Sequence, residues 1–193
     1  MTQKIKKYTD EQLGKLTYQE QLTYCLDIIY EHEGHFSDDK RDPGGLTKWG
    51  ISLRYLRMIG YDITGDGEID EKDIYALDKK HADLIYICNW WEEYEYFRFN
   101  HVAVSAKVFD LAVNMGAKRA HKICQRAINK LRETPIAVDG ILGEISYAAA
   151  NELDPWKLRE EMRKCAMDEY REILFRNRNM EWARKGWMRR AAW

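Results

Sequence analysis

The stretch from Val102 to Gly116, VAVSAKVFDLAVNMG, is the most apolar in the chain and ends on a glycine, a common helix stop. A helix that is apolar on most of its faces must be covered by other elements, so it reads as a central buried helix. The rest of the chain supplies that cover. A T-Y-Q-E capping box at Thr17 to Glu20 opens a helix in which Leu22, Cys25, Leu26, Ile29 and Tyr30 share one face. Ser52 caps a short helix carrying Leu53, Leu56 and Ile59, which stops at Gly60. The spacing of Ala82, Ile85, Tyr86, Trp90 and Tyr94 predicts a helix from Asp78 to about Phe97. Its dense rings, from Trp90 and Trp91 to Phe97 and Phe99, read mainly as core packing. Asp139-Gly140 reads as a turn, Glu144 to Asn151 as a short helix, and Asp154-Pro155 as the cap and first turn of a long last helix. No convincing series of alternating strands interrupts this pattern, so the fold class is mainly α.

With 193 residues, 45% hydrophobic and 33% charged, the chain has the composition of a globular protein. Its formal net charge of -1 gives no global positive field, and no nucleic-acid partner is expected. No apolar run approaches the roughly 20 residues of a membrane span. The N-terminal MTQKIKKYTDEQLGKLTYQEQ lacks the apolar core of a signal peptide. Cys25, Cys88, Cys124 and Cys165 are widely separated without a C-x-x-C pair, which favours buried free thiols over disulfides or a metal site.

Chemistry concentrates in Glu31 to Ile51, EHEGHFSDDKRDPGGLTKWGI. Glu33 stands where a helix gives way to a loop, and Pro43, Gly44 and Gly45 make a tight turn able to bring Asp42 and Thr47 back toward it. One carboxylic acid to protonate a leaving oxygen, and a second carboxylate with a hydroxyl to position water or stabilise charge, is the set that glycoside hydrolysis uses. Glu33 is the better acid, with Tyr30, Phe36 and Trp49 as expected apolar cover. Asp42, between Arg41 and Pro43 and near Lys40, is the carboxylate expected to stay ionised.

A second motif, DITGDGEIDEKD, places Asp62, Thr64, Asp66, Glu68, Asp70 and Asp73 at positions one, three, five, seven, nine and twelve of an EF-hand-like loop, with Gly67 at six and Ile69 at eight. Asp73 replaces the usual glutamate at position twelve. The pattern marks a candidate structural calcium site, and the catalytic chemistry asks for no cofactor.

The string EGHFSDDKRDPGGLTKWGIS resembles the signature of glycoside hydrolase family 108, the N-acetylmuramidase or secretion-activator family. His35 departs from the family's second glycine and Lys40 from a common proline. The resemblance implies a lysozyme-like helical fold with an active-site loop, and Glu33 as catalytic acid. The order Glu, Asp, Thr also resembles phage lysozymes, which implies supporting roles for Asp42 and Thr47. Farther on, FDLAVNMGAKRAHKICQRAIN and VDGILGEISYAA resemble the predicted peptidoglycan-binding domain that follows in this family. The implied organisation is a catalytic segment over 1–100, containing the 62–73 loop, and a helical peptidoglycan-binding segment over 101–193, packed as one unit. The implied function is cleavage of the β-1,4 bond between N-acetylmuramic acid and N-acetylglucosamine, with peptidoglycan glycan strands as partner. A lytic transglycosylase, or a non-catalytic wall-binding or secretion-assisting protein, is the alternative. Without a signal peptide, action at the wall or in the periplasm implies a holin, another export route or cell lysis.

Three further residues are candidates for substrate binding. Trp49 offers an aromatic face, and Asp110 and Asn114 lie four apart on the buried helix, where they need partners, either a substrate amide or the backbone of the active-site loop. The tail from Arg171 to Trp193 carries seven basic residues against two acids, interleaved with Trp182, Trp187 and Trp193. Basic residues among aromatics suit nucleic acid or the anionic wall polymer, and an amphipathic terminal helix docking its tryptophans inward, the favoured reading given the net charge near zero, accounts for the pattern equally well.

Overall fold

The computed structural model describes residues 8–33, 36–37 and 46–193. Helix α1 (Asp10–Leu13) starts from a Thr9 capping box and buries Leu13. Helix α2 (Tyr18–Glu33) follows, and the expected box is formed: Thr17 N–H donates to Glu20 Oε2 at 2.9 Å and Glu20 N–H to Thr17 Oγ1 at 3.4 Å. Leu22, Cys25, Leu26, Ile28 and Ile29 form its buried face.

The segment after α2 contributes a three-stranded antiparallel sheet of two-residue strands, β1 (Phe36–Ser37), β2 (Thr47–Lys48) and β3 (Ile51–Ser52). Phe36 pairs with Lys48, and Thr47 with both Ser37 and Ser52. Strands this short carry too little alternation to register in a periodicity reading. Trp49 and Gly50 join β2 to β3 with φ of 55° and 78°, the two positive values that a type I′ hairpin turn requires.

Helix α3 (Leu53–Ile59) starts on the Ser52 hydroxyl and ends at Gly60, φ 67°. Helices α4 (Glu71–Ala76) and α5 (Lys79–Tyr86) come next. The single helix expected from Asp78 to Phe97 is not formed. Helix α5 ends at Tyr86, a π-turn runs over Ile87–Glu92, Glu95 adopts φ 52°, and a 3-10 turn covers Tyr96–Arg98. Ring packing overrides the helical pattern here. Trp91 and Tyr96 are fully buried against Phe109, while Trp90 stacks on Tyr55 at 5.0 Å.

Helix α6 (Val102–Met115) is the predicted central helix, buried continuously from Val102 to Ala112. It packs on α2, on α7 (Ala117–Leu131) and on α9 (Pro155–Arg176), with α8 (Glu144–Asn151) between the last two. One hydrophobic cluster runs from Leu13 to Ala191. Cys25, Cys124 and Cys165 are buried free thiols, and Cys88 is an exposed one.

The tail docks. A 3-10 turn (Arg178–Ala183) leads into α10 (Arg184–Ala192), which lies against α9. Ala183, Trp187, Arg190 and Ala191 face inward at helical spacing. Lys107, fully buried in α6, fastens this helix by donating from Nζ to the carbonyls of Arg190 at 2.7 Å and Ala191 at 3.1 Å. Those carbonyls lie in a last helical turn, where backbone acceptors lack intrahelical donors.

Candidate active site

Glu33 is the last residue of α2, so its side chain leaves from a fixed helix end. The β2–β3 turn presses directly on it. A Cβ added at Gly50 would lie 2.7 Å from Glu33 Cγ and would run into the Tyr86 hydroxyl. Only glycine satisfies both the positive φ and this approach. The buried Tyr86 holds the turn from below, its hydroxyl donating to the Trp49 carbonyl at 3.0 Å. Burial raises the pKa of that phenol well above its ordinary value, so it stays a donor.

From the opposite side comes Arg190 of α10. Its Nη2 donates to Glu33 Oε1 at 2.6 Å, its Nη1 to the Asp110 carbonyl at 3.4 Å, and its Nε lies 3.7 Å from Asp110 Oδ1. Burial works against the guanidinium charge, but the carboxylates of Glu33 and Asp110 outweigh it and raise its pKa. Asp110 Oδ1 also lies 2.8 Å from His32 Nδ1. A chain of four polar side chains thus links α2, α6 and α10 at the place where Glu33 leaves its helix. Arg190 and Asp110 are almost wholly buried in it, while the Glu33 side chain keeps 19% exposure toward a pocket.

That pocket has a volume of about 260 Å³ and is lined by His32, Glu33, Asn114, Trp182, Ala183, Gly186, Trp187, Arg189 and Arg190. Asn114 is held there by the Tyr170 hydroxyl, which donates to its Oδ1 at 2.8 Å, and Tyr170 stacks on Trp187 at 5.2 Å. One wall therefore comes from the ends of α2 and α6, and the other from the docked tail.

The residues singled out in the sequence fall in different places. Glu33 and Asn114 line the pocket. Asp110 lies behind it, fully buried, and its partners among the described residues are His32 and Arg190. Thr47 sits in β2 and Trp49 in the turn against Glu33, where the Trp49 ring packs edge-on to Tyr30 at 5.5 Å. Asp42 lies outside the described residues. The expected cover of Glu33 is redistributed: Phe36 is 55% exposed and stacks on Tyr75, and Tyr30 donates to Asp83, while Gly50, Tyr86 and Arg190 crowd the carboxylate. Arg190, His32 and the aromatic wall of the tail were not readable as site residues. Their one signal is the helical spacing that puts position 190 on the same face as Ala183 and Trp187.

In the 62–73 loop the acids are turned inward. Asp62 accepts from the N–H groups of Gly65 and Gly67, and Asp73 from those of Ile63, Thr64 and Asp70. Burial raises the Asp73 pKa, but the three backbone donors more than offset it, and the net shift is downward. Lys72 Nζ lies 3.1 Å from Asp66 and 3.5 Å from Asp70. Thr64 donates to Asp62, and the Glu68 side chain is exposed. Arranged this way, the acids of the loop are engaged by backbone N–H groups and by Lys72. Among the described residues no group of three or more His, Cys, Asp or Glu is placed to hold a metal ion.

Comparison with known proteins separates the two walls. Residues 26–116 match the family Glycosyl hydrolase 108. The match begins inside α2 and ends at Gly116, directly after α6. It takes in Glu33, the hairpin, the acidic loop and the Asp110–Asn114 face, and it leaves out α7 to α10. A solved structure, that of Brucella abortus SagA, is similar over 90% of this chain and 91% of its own, with a TM-score of 0.72 and 22% identity. That likeness is one of fold and extends through the helices beyond Gly116. No curated protein sequence matches the chain. At the level the match carries, the segment holding Glu33 is similar to a glycoside hydrolase, for which a glycan is the substrate class. No helix among the described residues is long and apolar enough to cross a membrane.

Proposed function

We propose that the protein is a lysozyme-like peptidoglycan hydrolase, an N-acetylmuramidase, with Glu33 as its general acid. The observation that carries this reading is the placement of Glu33: a helix-end carboxylate, inside the segment similar to Glycosyl hydrolase 108, partly open to a pocket walled by an amide and two indoles. In this reading a glycan strand lies across the pocket with its scissile oxygen at Glu33. Arg190 holds Oε1, which fixes the carboxyl group and leaves Oε2 to carry the proton. As the C–O bond breaks, that proton passes to the leaving oxygen, and positive charge develops at the anomeric carbon. Water adds there. Asp42 orients it or stabilises the developing charge, and Thr47, on the strand beside the Gly50 turn, holds it. Peptidoglycan is reached after export or lysis, through a holin or another route.

The 62–73 loop takes no part in these steps. A structural calcium there is proposed on its residue pattern alone, and binding would have to displace the Lys72 ammonium from Asp66 and Asp70. A thermal melt with calcium against one with chelator tests it, and identical melts would remove the ion from the proposal.

The hydrolase itself is tested by incubating wild-type protein and a Glu33→Gln variant with defined peptidoglycan and weighing the soluble products by mass spectrometry. Products with reducing-end muramic acid from wild type alone are expected. Anhydro products would make the protein a lytic transglycosylase, and no products with binding intact would make it a wall-binding protein.

A further inference from the structure

The tail has two faces. Ala183, Trp187, Arg190 and Ala191 dock inward, and the corner between α9 and α10 is left turned outward. This corner, 175–185, carries Arg176, Arg178, Arg184 and Lys185 against a single acid, Glu181, and all of it except positions 180 and 183 is exposed. Phe175 stands among these charges with 75% of its surface in solvent, the highest value of any large apolar side chain among the described residues. The Arg178 guanidinium lies over its ring, 5.8 Å from the centroid. Arg176 is paired with Glu172, and Arg184 donates from Nη2 to Glu181 Oε2 at 3.0 Å, whereas Arg178 and Lys185 form no salt bridge among the described residues. An apolar ring left in water among cations is unfavourable until a second surface covers it.

That cover must offer negative charge to the cations and an apolar medium to the ring. A soluble polyanion meets the first demand only. A bilayer with anionic headgroups meets both, because its phosphates lie directly above hydrocarbon. We propose that the α9–α10 corner is a membrane-contact surface that docks on anionic lipid, with Phe175 entering the apolar layer and Arg178 and Lys185 paired with headgroup phosphates. The long basic stems suit this arrangement, since they lie along apolar surface while their charged ends stay in the polar layer. The formal net charge of the whole chain is -1, so the local patch, and not a global field, sets the orientation of docking. Trp182 belongs to this corner and also lines the pocket at Glu33, so the docked molecule presents that pocket beside the lipid surface. The inference goes beyond the hydrolase reading and does not depend on it.

The test is co-sedimentation of the full chain with vesicles of phosphatidylcholine alone and of equimolar phosphatidylcholine and phosphatidylglycerol. Binding to the anionic vesicles should exceed binding to the neutral ones by at least about tenfold at low ionic strength, and should weaken as salt is added. Arg178→Glu should lower it by about tenfold or more, through charge, and Phe175→Ser by about tenfold, through lost apolar contact. Both side chains are exposed, so neither substitution disturbs the core. Lys80→Glu makes the same charge change on α5 and should alter binding by less than about twofold. A single-stranded oligonucleotide, a soluble polyphosphodiester, serves as the rival occupant. If it binds as tightly as the anionic vesicles, and Phe175→Ser leaves vesicle binding unchanged, the corner is a polyanion site and the proposal is overturned. Equal binding to both vesicle types, binding to neither, or an equal loss with Lys80→Glu would overturn it as well. No glycan enters this assay, so its failure leaves the hydrolase reading standing, and a failure of the Glu33→Gln experiment leaves the membrane contact standing.

Discussion

Arg190 Nη2 donates to Glu33 Oε1 at 2.6 Å across 157 positions of sequence. The contact ties the last helix of the chain to the end of α2. Replacing Arg190 by methionine leaves Glu33 and the buried Asp110 without their shared cation, and breaking a buried pair in this way costs about 3 to 5 kcal/mol. Urea denaturation should show that loss as a lower midpoint. On peptidoglycan, kcat should fall at least tenfold with KM changed far less, because Arg190 sets the orientation of the Glu33 carboxyl group. Arg190→Lys should recover part of the stability and less of kcat, since an ammonium cannot span Glu33 and Asp110 with a planar fork.

Gly50 and Gly60 both have positive φ, but they differ in surroundings. At Gly60 no atom lies within 4 Å of the place a side-chain methyl would take, whereas at Gly50 that place is occupied by Tyr86 and Glu33. Gly60→Ala should therefore cost only the backbone strain, about 1 kcal/mol, with activity retained. Gly50→Ala should cost more and should lose activity, because the turn must back away from the acid. Thermal melts and a wall-lysis assay on the two variants side by side make the comparison.

Lys107 titrates unusually low. Burial brings its pKa down to about 7, against the opposing pull of Asp110, with Arg159, Arg163 and Arg190 lowering it further. An unfolded lysine titrates near 10.4, so between about pH 7 and 10 the unfolded chain binds the extra proton. Stability should thus rise with pH across that window, by at most about 1.4 kcal/mol per pH unit, and the penalty is present in full below it. Lys107→Met, which removes the titrating group, should lack this slope. Denaturation at pH 7, 8.5 and 10 on both proteins would reveal it.

His121 gives a signature at the acid end. The ring bridges Tyr96 Oη at 2.8 Å and the Gly140 carbonyl at 3.0 Å, and burial pulls its pKa down to about 4. An unfolded histidine titrates near 6.5. The stability it contributes is complete above that value and is lost as pH falls from 6.5 toward 4, where the unfolded chain takes up the proton first. His121→Phe should be less stable at pH 7.5, yet should show a flatter dependence through this window.

The parts of the fold that were legible share a physical basis. Caps and stops act through contacts a few residues apart, so Thr17, Ser52, Gly60, Asp154 and Gly116 marked helix ends that the structure forms. The apolar run from Val102 predicted a buried helix because burial on all faces leaves no polar face to read. The break after Tyr86 was not legible, since Trp90 and Trp91 fit a regular helix until Phe109, Tyr18 and Tyr55 compete for their rings. The three short strands were hidden for want of length.

At the site the division is the same. Sequence by itself determined that a helix ends at Glu33, because a local motif carries that information within about twenty residues. Only the tertiary structure decided what the carboxylate touches. Seven basic residues lie in Arg171 to Trp193, and only helical spacing with Ala183 and Trp187 sets Arg190 apart from Arg189. One is buried on Glu33 and Asp110 and the other faces the pocket, a difference set by the docking of α10 onto α9 and the grip of Lys107 on its last carbonyls. The Lys107 contacts join residues more than eighty positions apart, and their energies come from burial that exists only once the whole core has closed.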